Sequence, residues 1–183
     1  MKHNRNILIA LLGITLTIAS CKKGENDPSF SFSSRNARIT AEWILNSMNK
    51  STVTILKAGD ATYTSTTTYV FDGTTMTETS NNGFGDQIIS YPYSYETNIN
   101  KDGTYNETES KDDVKTEKTD YWYWANADKS KIAVTFSGNG TFIINRLAKD
   151  ELILKQSTST STTDTEGNVT TNNYDLTMTF SKK

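Results

Sequence analysis

Catalysis at neutral pH most often recruits an imidazole or a thiol, and this chain of 183 residues holds one of each, His3 and Cys21. Past Cys21 there is no side chain whose ordinary titration falls near pH 7. There is also no thiol nucleophile, no disulfide partner and no soft ligand for zinc or an iron–sulfur centre. Ser-His-Asp and Cys-His chemistry are excluded from the body of the chain, and carboxylates, Lys, Tyr and Ser remain. Glycoside cleavage would need two acids facing each other across a cleft. Glu78, Glu96, Glu107 and Glu109 are available, but no spacing singles out a pair, and the chain is expected not to be an enzyme. Asn98-x-Asn100-x-Asp102-Gly103 with Glu109 mimics a helix-flanked calcium loop. Asn98 replaces the leading Asp, however, and the flanks alternate as strands do. A turn at Asp102-Gly103 accounts for the same residues, and neither a metal nor a cofactor is implied. The aromatic residues are the better candidates for a site. Tyr63, Tyr69, Tyr91, Tyr93, Tyr95, Trp122 and Trp124 would line a cavity with apolar walls and polar tips, which suits a greasy ligand with a few hydroxyls. The competing reading makes them ordinary core and solvent-facing cross-strand pairs. Trp43 reads as core.

Cys21 has a different use. Lys2 and Arg5 give a basic start, Ile7 through Ile18 form an apolar run, and Ala19 and Ser20 are small. The run is too short to span a bilayer as a helix and has the zones of a secretory leader over residues 1–20. Ile18-Ala19-Ser20-Cys21 resembles the lipobox of bacterial lipoproteins. That resemblance implies an acylated Cys21 as first mature residue and a chain held on a membrane by lipid, each buried methylene adding about 0.8 kcal/mol. Lys22 stands where inner-membrane retention would place Asp, so the resemblance implies the outer membrane of a Gram-negative cell, on either face. Lys22–Ser34 is polar, with Gly24, Asn26, Asp27 and Pro28, and residues 21–34 are expected to form a flexible tether.

The formal net charge is −2, with no basic stripe, so nucleic acid is not an expected partner. Past the tether, a short helical turn is expected near Arg35–Thr40, followed by a strand from about Glu42 to Leu56. Alternation then marks Ala61–Phe71, Thr74–Ser80, Gln87–Asn98, Thr104–Ser110, Thr119–Ala125, Lys131–Ser137, Thr141–Leu147, Glu151–Thr163 and Val169–Phe180. Asp72-Gly73, Lys101-Asp102-Gly103, Gly138-Asn139-Gly140 and Asp164–Asn168 read as turns, and Lys111–Lys118 as a charged loop. Pro92 argues for an edge or a bend. Short connections without crossover helices predict an all-β fold, an antiparallel up-and-down barrel of eight to ten strands over residues 35–183. A sandwich is the alternative.

A second resemblance covers that body. Ala41-Glu42-Trp43-Ile44-Leu45 is similar to the Gly-x-Trp opening of lipocalins, with Ala41 where Gly is usual. Asn100–Tyr105, Tyr121-Trp122-Tyr123-Trp124, Ile143–Leu147 and Asp150–Leu154 resemble lipocalin-like domains of bacterial lipoproteins. Arg38 and Arg146 are the candidates for the arginine that packs over the lipocalin tryptophan. The resemblance implies a small barrel that takes an apolar or amphipathic ligand. The alternative function is that of an envelope structural protein with a filled interior, presenting loops such as Asn81–Asp86 and Lys111–Lys118 to a protein partner.

Overall fold

Ten strands close into one antiparallel barrel in a computed structural model that describes residues 26–28, 33–125 and 132–183. The leader and Cys21 lie outside the described residues. A single turn of helix, α1 (Arg35–Ile39), precedes the strands, and Ser34 caps it by accepting a hydrogen bond from the Ala37 amide at 3.2 Å. The strands are β1 (Glu42–Ala58), β2 (Ala61–Phe71), β3 (Thr75–Asn81), β4 (Asp86–Ile99), β5 (Thr104–Lys111), β6 (Val114–Trp124), β7 (Ala133–Phe136), β8 (Gly140–Leu147), β9 (Glu151–Thr163) and β10 (Val169–Lys182). Each pairs with the next, and β1 closes the circle on β10. The expected up-and-down barrel with a short helical turn is the fold observed.

The barrel is not the same width along its length. At its base Glu42–Ile44 of β1 pair directly with Glu96–Asn98 of β4, so the circle there runs through eight strands. Farther up, the β2–β3 hairpin is inserted between β1 and β4, and the circle runs through ten. The Asp72-Gly73 turn of that hairpin sits on β1. Gly73 has φ +108°, and a Cβ there would stand 3.3 Å from the Asn46 carbonyl, beside the bulge between Leu45 and Ser47. Barrel diameter grows with strand number, so the base has room for packed side chains and the upper part has room to spare. Ile39, Trp43, Leu147, Leu152 and Val134 are fully buried at the base.

Two bulges re-aim the strands where base meets mouth. In β1 the inward positions are Trp43 and Leu45 below the bulge, then Met48 and Lys50 above it. In β8 the bulge between Ile144 and Arg146 turns Leu147 into the base. The β7–β8 hairpin is short, ending at Ser137–Asn139, while β6 and β9 run on past it. The wall is therefore notched between β6 and β9.

Three expectations change. Lys111–Lys118 is no loop, because Lys111 pairs with Val114 across a two-residue turn in which Asp112 (φ 49°) and Asp113 (φ 64°) are left-handed. The charges that suggested a loop are cross-strand partners, as with Lys118 and Glu107 at 3.5 Å. Pro92 lies within β4, between two neighbours. Its carbonyl accepts from the Asp112 amide at 3.1 Å, where β5 turns away, so the N–H that proline lacks removes no rung. Within the stretch read as tether, Asn26–Pro28 docks on the barrel. Asp27 is buried, pairs with Arg35 and Arg38, and accepts from the Leu147 amide at 2.8 Å.

Candidate functional site

The space left by the inserted hairpin is a cavity of about 480 Å³ that opens at the ten-stranded end. That volume falls within the range of small-molecule sites, about 300–1,000 Å³. Three layers line it. The floor is apolar, made by Met76, Phe136, Phe142, Leu154, Met178 and Phe180. Alternation carries these positions inward from β3, β7, β8, β9 and β10, and Phe136 packs edge-on against Phe142 with centroids 5.9 Å apart.

Above the floor comes a belt of tyrosines. Tyr91, Tyr93 and Tyr95 recur every second residue on β4, with Tyr69 on β2 and Tyr174 on β10. Each ring is held. Tyr93 stacks edge-on against Phe71 at 5.3 Å, and Tyr95 leans on Phe180 at 6.2 Å. Carboxylates take two of the hydroxyls: Tyr95 donates to Glu107 at 2.6 Å and Tyr69 to Glu78 at 3.2 Å. Burial, and after it the charge of Glu107, pushes the Tyr95 phenol far above the ordinary tyrosine range; burial and Glu109 do the same for Tyr93. Burial also raises Tyr69 and Tyr174. These phenols stay protonated and serve as hydrogen-bonding groups. Thr97 adds a buried hydroxyl on the cavity wall whose oxygen has no partner.

The third layer is charged. Lys50 projects inward from β1 with its ammonium 4.6 Å from the Tyr69 ring centroid and 5.9 Å from that of Tyr174. Across the mouth, Glu107 is satisfied three times over, by Tyr95, by the Asn139 amide at 2.8 Å and by Lys118 at 3.5 Å. The β7–β8 turn sits between Lys118 and Gln156 at the notch. A Cβ on Gly138 (φ +77°) would meet the Lys118 ammonium at 2.7 Å, and one on Gly140 (φ +96°) the Gln156 amide at 2.8 Å.

Of the seven aromatics expected to line a cavity, Tyr69, Tyr91, Tyr93 and Tyr95 line this one. Tyr63 does not. It lies on the part of β2 that runs beyond β3, 62 % exposed, opposite Leu56. Trp122 and Trp124 line a different pocket, one of about 500 Å³ at the closed end beside α1. There Trp122 donates to the Asn100 carbonyl and Trp124 to the Asn36 side chain, both at 2.8 Å, and their rings meet edge-on at 5.7 Å. Trp43 is core, its indole N–H donating to the Ile39 carbonyl at 2.8 Å. Of the two arginines singled out, Arg38 is buried and donates to the Leu147 carbonyl, whereas Arg146 is partly exposed and pairs with Glu151. Of the four acids, Glu96 faces outward to Lys183 at 2.8 Å, Glu107 and Glu109 share one strand, and Glu78 on β3 accepts from the Tyr69 hydroxyl.

Tyr174 and Lys50 belong to the site without having been among the candidates. Alternation with Leu176, Met178 and Phe180 marks Tyr174 as inward. Lys50 carried no such signal, because the bulge at Asn46 reverses the parity that Trp43 and Leu45 establish. Compared with known proteins, the chain matches no family model, no curated protein and no solved structure, and the reading of this cavity rests on its own geometry.

Proposed function

We propose that this protein is a lipid-anchored, lipocalin-like binding protein of the outer membrane, holding one small amphipathic molecule in the barrel. The observation that carries the reading is the cavity of about 480 Å³, apolar at its floor and ringed by tyrosines. The unpartnered Thr97 hydroxyl adds a reason for a ligand bearing at least one polar atom, since buried polar groups in folded proteins nearly always have partners. The eight-stranded base has the strand number of lipocalin barrels, and a helical turn followed by a fully buried tryptophan closes it. On this reading the phenols and acids recognise rather than react.

The wall supports an anchored barrel rather than an embedded one. The outward positions of β4, β5 and β6 include Glu96, Asn98, Asn106, Thr108, Glu117 and Thr119, where a spanning barrel needs an apolar band. Asp27 is clamped at the base six residues after Cys21, a reach of at most about 20 Å. An acylated Cys21 would therefore keep the closed end beside the bilayer and aim the mouth away from it. The test is twofold. Native mass spectrometry of protein extracted from membranes should show a non-covalent small molecule that is lost on denaturation. Cys21→Ser should abolish acylation and release the protein from the membrane fraction. A bare native mass contradicts the binding reading, and unchanged fractionation contradicts the anchor.

One observation favours the interaction reading. Phe84 is 97 % exposed at the β3–β4 turn, with Ile88, Ile89 and Val114 exposed nearby on the hairpins of the mouth. Chemical cross-linking in intact cells from a cysteine placed at Asn82 would capture an envelope partner if these tips dock one.

A further inference from the structure

Resting on the cavity as a binding site, we infer that its occupant is a single-chain amphiphile with an anionic headgroup, the chain on the floor and the headgroup at Lys50. Of the residues that line the cavity, one is basic, Lys50, and one is acidic, Glu109. They are not equivalent. Glu109 is exposed at the rim of β5 beside the Tyr93 phenol. Lys50 is half-buried on β1, inside the belt, and forms no ion pair with any described residue. The cation that lines the cavity therefore sits level with Tyr69 and has no ion-pair partner among the described residues, the nearest row carboxylate, Glu78, being taken by the Tyr69 hydroxyl. A partly desolvated ammonium without a carboxylate is held at a cost, which the faces of Tyr69 and Tyr174 offset only in part. An anion placed there completes the pair.

Backbone geometry points the same way. Without the bulge between Leu45 and Ser47, Lys50 would face outward, so the irregularity that seats the Asp72-Gly73 turn is also what brings a cation into the barrel. A cationic headgroup would find only Glu109, exposed to solvent at the rim. The two rings that would cradle it are already covered by Lys50, and Glu107 is fully engaged by its own partners. Below Lys50 the lining is Met76, Leu154, Met178 and Phe180, with room for an alkyl chain and no further charge.

The experiment compares three probes that share a tail: dodecanoate, dodecanol and dodecyltrimethylammonium, each titrated calorimetrically below its micelle concentration. The protein is the full chain carrying Cys21→Ser, so that no attached acyl group competes. Dodecanoate is expected to bind one-to-one and about tenfold tighter than dodecanol, the worth of one charge-assisted contact. Lys50→Met should abolish the preference for dodecanoate over dodecanol, and Lys50→Arg should keep it. Should Lys50→Met not fold, as judged by its melting curve, Lys50→Gln makes the same comparison. If Lys50→Met keeps the preference, or if trimethylammonium binds tightest, the headgroup assignment is overturned while the cavity stands as a binding site. If none of the three binds, the binding reading itself is overturned.

Discussion

The base and the mouth are built from the same strands and behave as different materials. Along β10 the inward positions run Phe180, Met178, Leu176, Tyr174, Asn172; along β9 they run Leu152, Leu154, Gln156, Thr158, Thr160. From base to mouth, both strands pass from apolar core to polar surface. The base closes through eight strands around Trp43 and is stapled from below by α1 and Asp27. Above it the β2–β3 hairpin widens the wall, the β7–β8 hairpin stops short, and a cavity is left. One inserted hairpin separates a packed interior from an open one, so stability and recognition are divided along the barrel axis rather than between domains.

That division is broken most directly at the base. Trp43→Ala removes a fully buried indole and leaves the Ile39 carbonyl without its donor. The expected loss is about 3–5 kcal/mol, read as a lower urea midpoint at unchanged slope. Asp27→Ala is expected to cost a similar amount, about 3–5 kcal/mol, because it strands Arg35 and Arg38 in a buried site. Burial already pushes the Arg35 guanidinium down, Asp27 opposes this, and Arg35 Nε and Nη2 have no other partner. If either variant melts like the parent, the base does not carry the fold.

A smaller effect distinguishes the mouth by pH. Tyr95 and Tyr93 are held protonated in the folded barrel by burial and by Glu107 and Glu109, while in the unfolded chain they ionise near pH 10. Their folded values are raised, so their contribution is complete below about pH 10 and is lost as pH rises from there toward the folded values. Melting temperature is expected to hold between pH 7 and 9 and to fall steeply above about pH 10. Tyr95→Phe deletes the 2.6 Å bond to Glu107. It should cost about 1 kcal/mol at pH 7, since Glu107 keeps Asn139 and Lys118, and the deficit should shrink and then reverse in alkali. A deficit independent of pH would show that this phenol is free to ionise in the folded barrel.

How much of this was legible in the sequence follows from where side chains alternate. β2 and β9 are observed over Ala61–Phe71 and Glu151–Thr163, the ranges their alternation and flanking turns give. Asp72-Gly73 works as read, with Asp72 accepting from the Thr74 and Thr75 amides at 2.9 and 2.8 Å. The tyrosine belt on β4 is legible for the same reason. Lys50 and Leu147 are not, since a bulge reverses parity and nothing in the flanking residue types announces it. The β5–β6 hairpin is hidden by its charges, which resemble a solvated loop until Glu107 is seen opposite Lys118. The wider mouth is beyond the sequence altogether, because it depends on β1 changing partner from β4 to β2.

The smallest expected effect is at Tyr63, the one tyrosine among the candidates that the fold leaves outside the cavity. The last rung between β2 and β3 is Thr66–Asn81, so Tyr63 lies on a stretch whose sole ladder neighbour is β1. Its cross-strand partner is Leu56, itself 36 % exposed, and such a pair contributes about 0.2–1 kcal/mol. Tyr63→Ala is therefore expected to shift stability by about 0.5 kcal/mol, a surface-scale change, and to leave dodecanoate binding at the parental value. Tyr69→Ala, six residues along the same strand face, removes the ring under Lys50 and the donor to Glu78, and should weaken binding while costing more stability. The two substitutions share residue type, strand and inward parity, and differ in height along the barrel. Equal outcomes would mean that height does not separate packing from recognition, and the boundary between base and mouth would have to be redrawn from the binding data.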